Sequence, residues 1–230
     1  WKKFPNFIRP GEPVGKVSGK AGARFGIPAG TPVFAGGPDF VVSLLGTATV
    51  SPGRVCDRSG TSEGINLCTD ALVKDPRLLC MSHVIRDLYN ISGVISTSGK
   101  AFDWFRKIVG KSEASYDEIF TEISAAEPGA GGLLFLPYLT GERSPIWDPQ
   151  ARGMFIGLTL KHDRRDMLRA VAESVGFAVR DIITVMEELG LPVERILATD
   201  PPLARSFHAL AKVAPEVVNP QPETWRDAEH

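Results

Sequence analysis

The sequence predicts an α/β fold, on three observations. Short apolar runs bounded by glycine and proline alternate with stretches whose apolar residues recur at helical spacing. The clearest of these stretches, Asp163 to Leu189, carries Leu168, Val171, Val175, Val179, Ile182, Met186 and Leu189 in one stripe at three- and four-residue steps. Of the 230 residues, 43% are hydrophobic and 8% aromatic, enough apolar surface to bury a core.

Taken in order, Trp1 to Pro32 is rich in glycine, proline and lysine, with a short helix at Gly22 to Gly26 and a turn at Gly30. The opening Trp-Lys-Lys carries no start-like region and reads as mid-protein. Val33 to Ala35 reads as a buried strand closing into the turn Gly36-Gly37-Pro38, and Phe40 to Leu45 as a helix ended near Gly46. Asp39, between them, has two readings. An Asp after a turn and before an apolar run caps backbone N–H groups. A carboxylate at a strand end, beside glycines that let a ligand approach, also suits a general base.

Val50 to Asn66 alternates turns and short strands, with Pro52-Gly53 as the hairpin signal. Gly60-Thr61-Ser62 is either an ordinary turn or a phosphate cradle of backbone N–H groups and hydroxyls. Leu67 to Tyr89 continues the sheet, and Val94-Ile95 is its next strand. Ser96 to Gly99 leads into a helix over Lys100 to Val109, with Ala101, Trp104, Phe105 and Ile108 as its apolar face; the small residues before it suit an N-cap or an anion site. A second helix spans Tyr116 to Ala126, and Leu133 to Leu136 is a buried strand. Pro137 to Asp148 is a long loop carrying Glu142, Arg143, Trp147 and Asp148, held either for function or by a Glu142–Arg143 or Arg143–Asp148 ion pair. Gly153 to Leu160 reads as a strand. Asp163 and Asp166 start the long helix and Gly190 ends it; Glu173, beside its stripe, suits a solvated edge first and a cleft-facing position second. Ile196 to Ala198 is a further strand, and Leu203 to Val213 a helical patch in a proline-rich tail.

Composition excludes several classes. A net charge of −1 leaves no basic footprint for nucleic acid or an anionic membrane surface. No apolar run reaches the roughly 18 residues of a bilayer span. Cys56, Cys68 and Cys80 fit neither a zinc site nor a disulfide framework, and are expected to be buried, reduced thiols of a cytoplasmic protein. The four histidines form no metal-binding pair, so no metal ligand is assigned. Walker-type and dinucleotide glycine motifs are absent.

The run GTPVFAGGPDF, then GTS, then LPYLTGERSPIWDPQARGMFIGLTL, then RAVAESVGFAVRDI resembles the FGGY carbohydrate kinases, nearest their xylulokinase-like branch. The resemblance covers most of residues 10 to 197. It implies the actin-like, ribonuclease H-like ATPase fold, with residues 1–50 as the end of the first, sugar-binding domain. Residues 51–230 would form the second, nucleotide-binding domain, incomplete after about 200 as the end of the resemblance places it. It implies transfer of the γ-phosphoryl group of ATP, with Mg²⁺, to a sugar hydroxyl, a ketopentose first, with gluconate, ribulose or glycerol as alternatives. It makes Asp39 the catalytic base and a sugar contact. Gly60, Thr61 and Ser62 become the second phosphate-binding turn, and Gly99 and Asp103 nucleotide contacts. The Gly153 to Glu173 segment resembles a second, largely structural family signature. A homodimer is compatible with it.

The departures are specific. Phe40 stands where the residue after the base is commonly Asn, and Asp57-Arg58-Ser59 where many members are apolar. An Asp-x-Gly-Thr phosphate loop and the glycine-rich adenosine turn expected after Thr199-Asp200 are not in the sequence. A non-catalytic kinase-fold binding protein is therefore the alternative from another class.

Overall fold

The computed structural model describes residue 3, residues 5–199 and the backbone of Val217–Val218. The expected helical patch at Leu203 to Val213 lies outside those residues. A six-stranded mixed sheet dominates. Its strands are β3 (Arg54–Arg58), β4 (Glu63–Thr69), β5 (Leu79–Ser82), β6 (Tyr89–Ile95), β9 (Arg195–Ala198) and β10 (Val217–Val218), in spatial order β10-β9-β3-β4-β6-β5. β3, β4, β6 and β5 pair antiparallel in that order, whereas β9 returns parallel to β3, placing Ile196 beside Val55. Between β6 and β9 the chain makes helices α3 (Gly99–Ile108) and α4 (Tyr116–Ser124), a small hairpin of β7 (Leu134–Leu136) and β8 (Met154–Ile156), and the long helix α5 (Arg164–Glu188).

Side-chain alternation gives the sheet two unlike faces. Val55, Ile65, Leu67, Ile91 and Ile95 are fully buried and pack against Val179, Ile182 and Met186 of α5. The intervening positions, Gly64, Asn66, Asn90 and Ser92, face the other way. The first half of α5 continues into a second core. There Leu168, Val171 and Val175 meet Phe102 and Phe105 of α3 and Ile119 and Ile123 of α4. One helix is thus the shared wall of both cores, and its start is fixed by a reciprocal cap: Asp163 accepts from the N–H groups of Arg165 and Asp166, while Asp166 accepts from that of Asp163. Gly190, at φ +72°, follows the helix end.

The remaining elements precede the sheet. β1 (Pro13–Lys16), α1 (Gly19–Phe25) and β2 (Pro32–Phe34) lead to α2 (Asp39–Gly46), whose Val41 and Leu44 cover Cys56. β2 is exposed throughout, contrary to the buried strand expected at Val33 to Ala35. It pairs only with β1 in a two-stranded ribbon, and no helix or second sheet among the described residues lies over it.

Other expectations change for physical reasons. Pro52-Gly53 does not close the hairpin. Gly53 instead turns the chain into β3 at φ +85°, its N–H bonded to the carbonyl of Cys68 and its own carbonyl accepting from Glu194. On α3, Trp104 and Ile108 are exposed, and Phe102 and Arg106 turn inward, because Phe102 stacks on Phe120 at 5.4 Å and Arg106 lies over the Tyr116 ring. The strand expected over Gly153 to Leu160 shortens to β8, the part that faces β7. Glu173 is buried, not solvated: Arg169 pairs with it at 2.7 Å and the Gly129 N–H donates to it, while Arg169 also binds the carbonyl of Ala126. The pair ties α5 to the end of α4. All three cysteines are free; Cys56 and Cys68 are buried as expected, whereas Cys80, on the edge strand β5, is only partly buried.

The approach of α5 to the sheet depends on Gly93, where a Cβ would collide with the Ile182 side chain. Gly93→Ala is expected to cost about 1–3 kcal/mol of stability in urea denaturation, and the double variant with Ile182→Ala to lose less than the sum of the two single losses.

Candidate functional site

Gly60, Thr61 and Ser62 form the connection of the β3–β4 hairpin, and a cleft of about 530 Å³ opens beside them. α3 determines which way this turn faces. The N–H groups of Ser98, Gly99 and Lys100 donate to the carbonyls of Thr61, Gly60 and Thr61, at 3.3, 3.0 and 3.4 Å, and the Ser98 hydroxyl donates to Gly60 at 3.1 Å. The first N–H groups of a helix need partners from outside it. Here the hairpin supplies them, so the start of α3 is neither a side-chain cap nor a free anion site. Gly99 is buried against Gly60, which brings together two residues predicted separately.

A trans peptide points its C=O and N–H in opposite directions. With the carbonyls of Gly60 and Thr61 committed to α3, the N–H groups of Thr61 and Ser62 point away from it. Among the described residues no acceptor meets either, and both side chains are exposed. Two free N–H groups beside two hydroxyls make an anion cradle.

The cleft floor is the polar face of the sheet: Asn66, held by its contacts to Asn90 and to the Gly64 carbonyl, together with Ser92. Arg58 and Arg143 stand on its walls. Of these, Arg143 was picked out in the sequence only as part of a loop suited to function, and Asn66, Ser92 and Arg58 were not singled out as site residues. The signal was present as alternation, Gly64 and Asn66 polar between Ile65 and Leu67, and Asn90 and Ser92 on either side of Ile91.

Asp39 is the first residue of α2 and is exposed; its Oδ1 accepts from the Phe40 N–H at 2.7 Å. The cap position is Pro38, so Asp39 is not the N-cap. Phe40 lines the cleft, and Asp39 stands beside it rather than on the lining. Asp103 is engaged elsewhere: its Oδ1 accepts from the Tyr116 hydroxyl at 2.8 Å and from Arg106 at 3.1 Å, clasping α3 to α4. Burial, reinforced by Asp103, pushes the Tyr116 hydroxyl up to about 12.

The long loop contributes Glu142, which is buried. Its Oε1 accepts from the N–H groups of Ser96 and Arg143, both at 2.7 Å, so neither ion pair expected for this loop forms. Arg143 reaches the Ser96 hydroxyl, and Trp147 anchors on the Arg77 carbonyl at 2.9 Å.

The family model described as the FGGY family of carbohydrate kinases, C-terminal domain, matches residues 58–199. The chain belongs to the FGGY family of carbohydrate kinases. The xylulose kinase of Staphylococcus epidermidis is 31% identical over 190 residues, which is 81% of this chain and 38% of that protein. The gluconokinase of Bacillus subtilis is 33% identical over 187 residues, 76% of this chain and 36% of that protein. The crystal structure of xylulose kinase from Rhodospirillum rubrum superposes with a TM-score of 0.81 at 30% identity, covering 90% of this chain and 42% of that one. The fold is therefore part of the actin-like ATPase fold, and this FGGY chain spans 36–42% of the length of those relatives. No helix among the described residues is long and apolar enough to cross a membrane.

Glu142→Ala removes the acceptor of two loop N–H groups at the cleft wall. It is expected to cost about 2 kcal/mol in urea denaturation.

Proposed function

We propose that this chain is part of an ATP-dependent kinase that phosphorylates a sugar hydroxyl, with a ketopentose such as xylulose as first candidate and gluconate as second. The observation that carries the proposal is the pair of outward N–H groups at Thr61 and Ser62, with the cations Arg58 and Arg143 on the walls of the same cleft. Such a turn suits the phosphates of a nucleotide, and the arginines offset their charge. Relatives that include xylulose kinases and a gluconokinase, at 31% and 33% identity, support both sugars almost equally.

In this proposal residues 1–50 end the sugar-binding domain and residues 51–230 belong to the nucleotide-binding one, the break falling between α2 and β3. Gly60, Thr61 and Ser62 hold phosphate oxygens; Gly99 acts on them through its N–H bond to the Gly60 carbonyl, and Asp103, half-exposed while it clasps Tyr116 and Arg106, adjoins the nucleotide. Asp39 takes the proton of the attacking hydroxyl as the new P–O bond forms. Its exposure beside the cleft mouth leaves it free for a substrate. Phosphoryl transfer asks mainly for positioning and charge stabilisation, and closure around the substrates excludes water as a competing acceptor. Mg²⁺ would offset the phosphate charge. Among the described residues no three acidic, His or Cys side chains converge on one point, and Mg²⁺ commonly takes much of its coordination from substrate phosphates and water, so it would enter with the nucleotide.

Two measurements test the proposal. Mg-ATP is expected to raise the melting temperature of the chain, because a ligand held only by the folded state stabilises it. In the full-length kinase, Asp39→Ala is expected to lower turnover at least about a hundredfold, read as sugar-dependent ADP release. Turnover within about threefold of wild type rejects the general-base role. Mg-ATP binding without sugar-dependent ADP release would instead indicate a non-catalytic binding protein.

A further inference from the structure

α2, which begins with Asp39, runs into β3 through a joint at residues 47–49, where Thr47 and Thr49 are buried. Between them Ala48 adopts φ +49°, a left-handed conformation that a residue other than glycine keeps only when its surroundings hold it. Those surroundings are specific. The Thr47 and Thr49 hydroxyls lie 2.9 Å apart, Arg54 donates to the Ala48 carbonyl at 2.9 Å, and His83 meets the Thr49 carbonyl through Nε2 at 3.1 Å.

His83 comes from the loop between β5 and β6 and is 5% exposed. Its other ring nitrogen, Nδ1, accepts from the Ile85 N–H at 3.0 Å. A carbonyl only accepts, so Nε2 carries a hydrogen; a backbone N–H only donates, so Nδ1 carries none. The two bonds together require the neutral ring with its hydrogen on Nε2. A second proton would stand on Nδ1, donor against donor, facing the Ile85 N–H. The next residue, Val84, packs with Phe40 against the cluster of Val41, Leu44 and Cys56. It also lies against Gly37, where an added Cβ would come within 3.2 Å of it. The loop thus touches the chain just before Asp39 and again just after α2.

We infer that His83, as a neutral imidazole, is a positioning residue whose loop clamps both ends of α2, so that Asp39 keeps its place relative to the turn of Gly60, Thr61 and Ser62 only while the ring is unprotonated. The clamp stands on the bonds just described; its effect on turnover rests on the kinase reading of Asp39 given above.

The charged and titratable groups around the ring leave it to these two bonds. Arg54 is bound to the Ala48 carbonyl, and Arg9, Glu12, Arg86, Asp87 and Tyr89 line, with His83, a cavity of about 740 Å³. The Cys56 thiol under α2 is pushed up to about 11 by burial and stays neutral. The ring itself is held by Thr49 and Ile85. Burial keeps it below the ordinary imidazole range, and the bond to Thr49 opposes that shift. An unfolded ring titrates near pH 6.5, so between that value and the lower folded one the unfolded chain binds more protons. The clamp is at full strength above about pH 6.5 and is lost as pH falls from there through the folded value.

Three readouts test the inference. Long-range nitrogen–proton NMR spectra of the chain at about pH 7 are expected to show His83 with its hydrogen on Nε2. Between about pH 7.5 and 5.5 the wild-type melting temperature is expected to fall by up to about 3–5 °C per unit, the slope of one proton, and that of His83→Gln by less. The glutamine amide can donate to Thr49 and does not titrate. In the full-length kinase at saturating substrates, the ratio of wild-type to His83→Gln turnover cancels the titration of the nucleotide and of Asp39. It is expected to be constant above about pH 7 and to fall by up to about tenfold per unit below about pH 6.5. A hydrogen on Nδ1 at neutral pH, or equal melting slopes, overturns the clamp. A constant turnover ratio beside unequal melting slopes overturns the positioning of Asp39. If the variant does not fold, the Ile85 amide resonance decides: it is expected to shift as the His83 ring titrates, and an amide that does not respond overturns the clamp. If no turnover depends on sugar at any pH, the kinase reading falls, while the tautomer and the melting slopes still decide the clamp.

Discussion

The site depends on one set of contacts, the three backbone N–H groups of Ser98, Gly99 and Lys100 that donate to the carbonyls of Gly60 and Thr61. The start of a helix has donors to spare, and the hairpin turn has acceptors to spare. Joining them satisfies both. Because each peptide is planar, it also leaves the N–H groups of the turn facing the cleft. The helix thus does not bind an anion with its own terminus. It orients a turn that can.

That junction is rigid because of what lies behind it. α5 packs against the apolar face of the sheet with its second half and against α3 and α4 with its first half. The strands that carry the turn and the helix that orients it therefore rest on one element. Gly93 permits the close approach, and the buried Arg169–Glu173 pair ties α5 to the end of α4. A buried pair of this kind adds little net stability, since desolvation offsets the attraction. What it fixes is where α4 ends relative to α5, through the Ala126 carbonyl and the Gly129 N–H.

The opposite sheet face shows the cost of keeping a cleft open. Asn66, Asn90 and Ser92 occupy positions that in a closed core would be aliphatic, and Asn66 and Asn90 hold each other in place at 3.2 Å. Arg58 and Arg143 border the same space. A polar sheet face next to a fully buried apolar one marks where a ligand, rather than another layer of protein, belongs.

Much of this was legible in the sequence. Local patterns determined the strand–helix alternation, the long helix with its Asp163 start and Gly190 end, and Gly60-Thr61-Ser62 as a phosphate turn candidate, because period and capping are properties of neighbouring residues. Glu173, the inward face of α3, the true hairpin turn and the partners of Glu142 were not, since each is set by a contact with a residue far along the chain. The same holds for the site. Residue types nominated Thr61 and Gly99 separately. Only the folded chain put the N–H of one glycine on the carbonyl of the other, and only the folded chain buried Asp57 and Glu63, because burial depends on everything that surrounds a group and not on its neighbours in sequence.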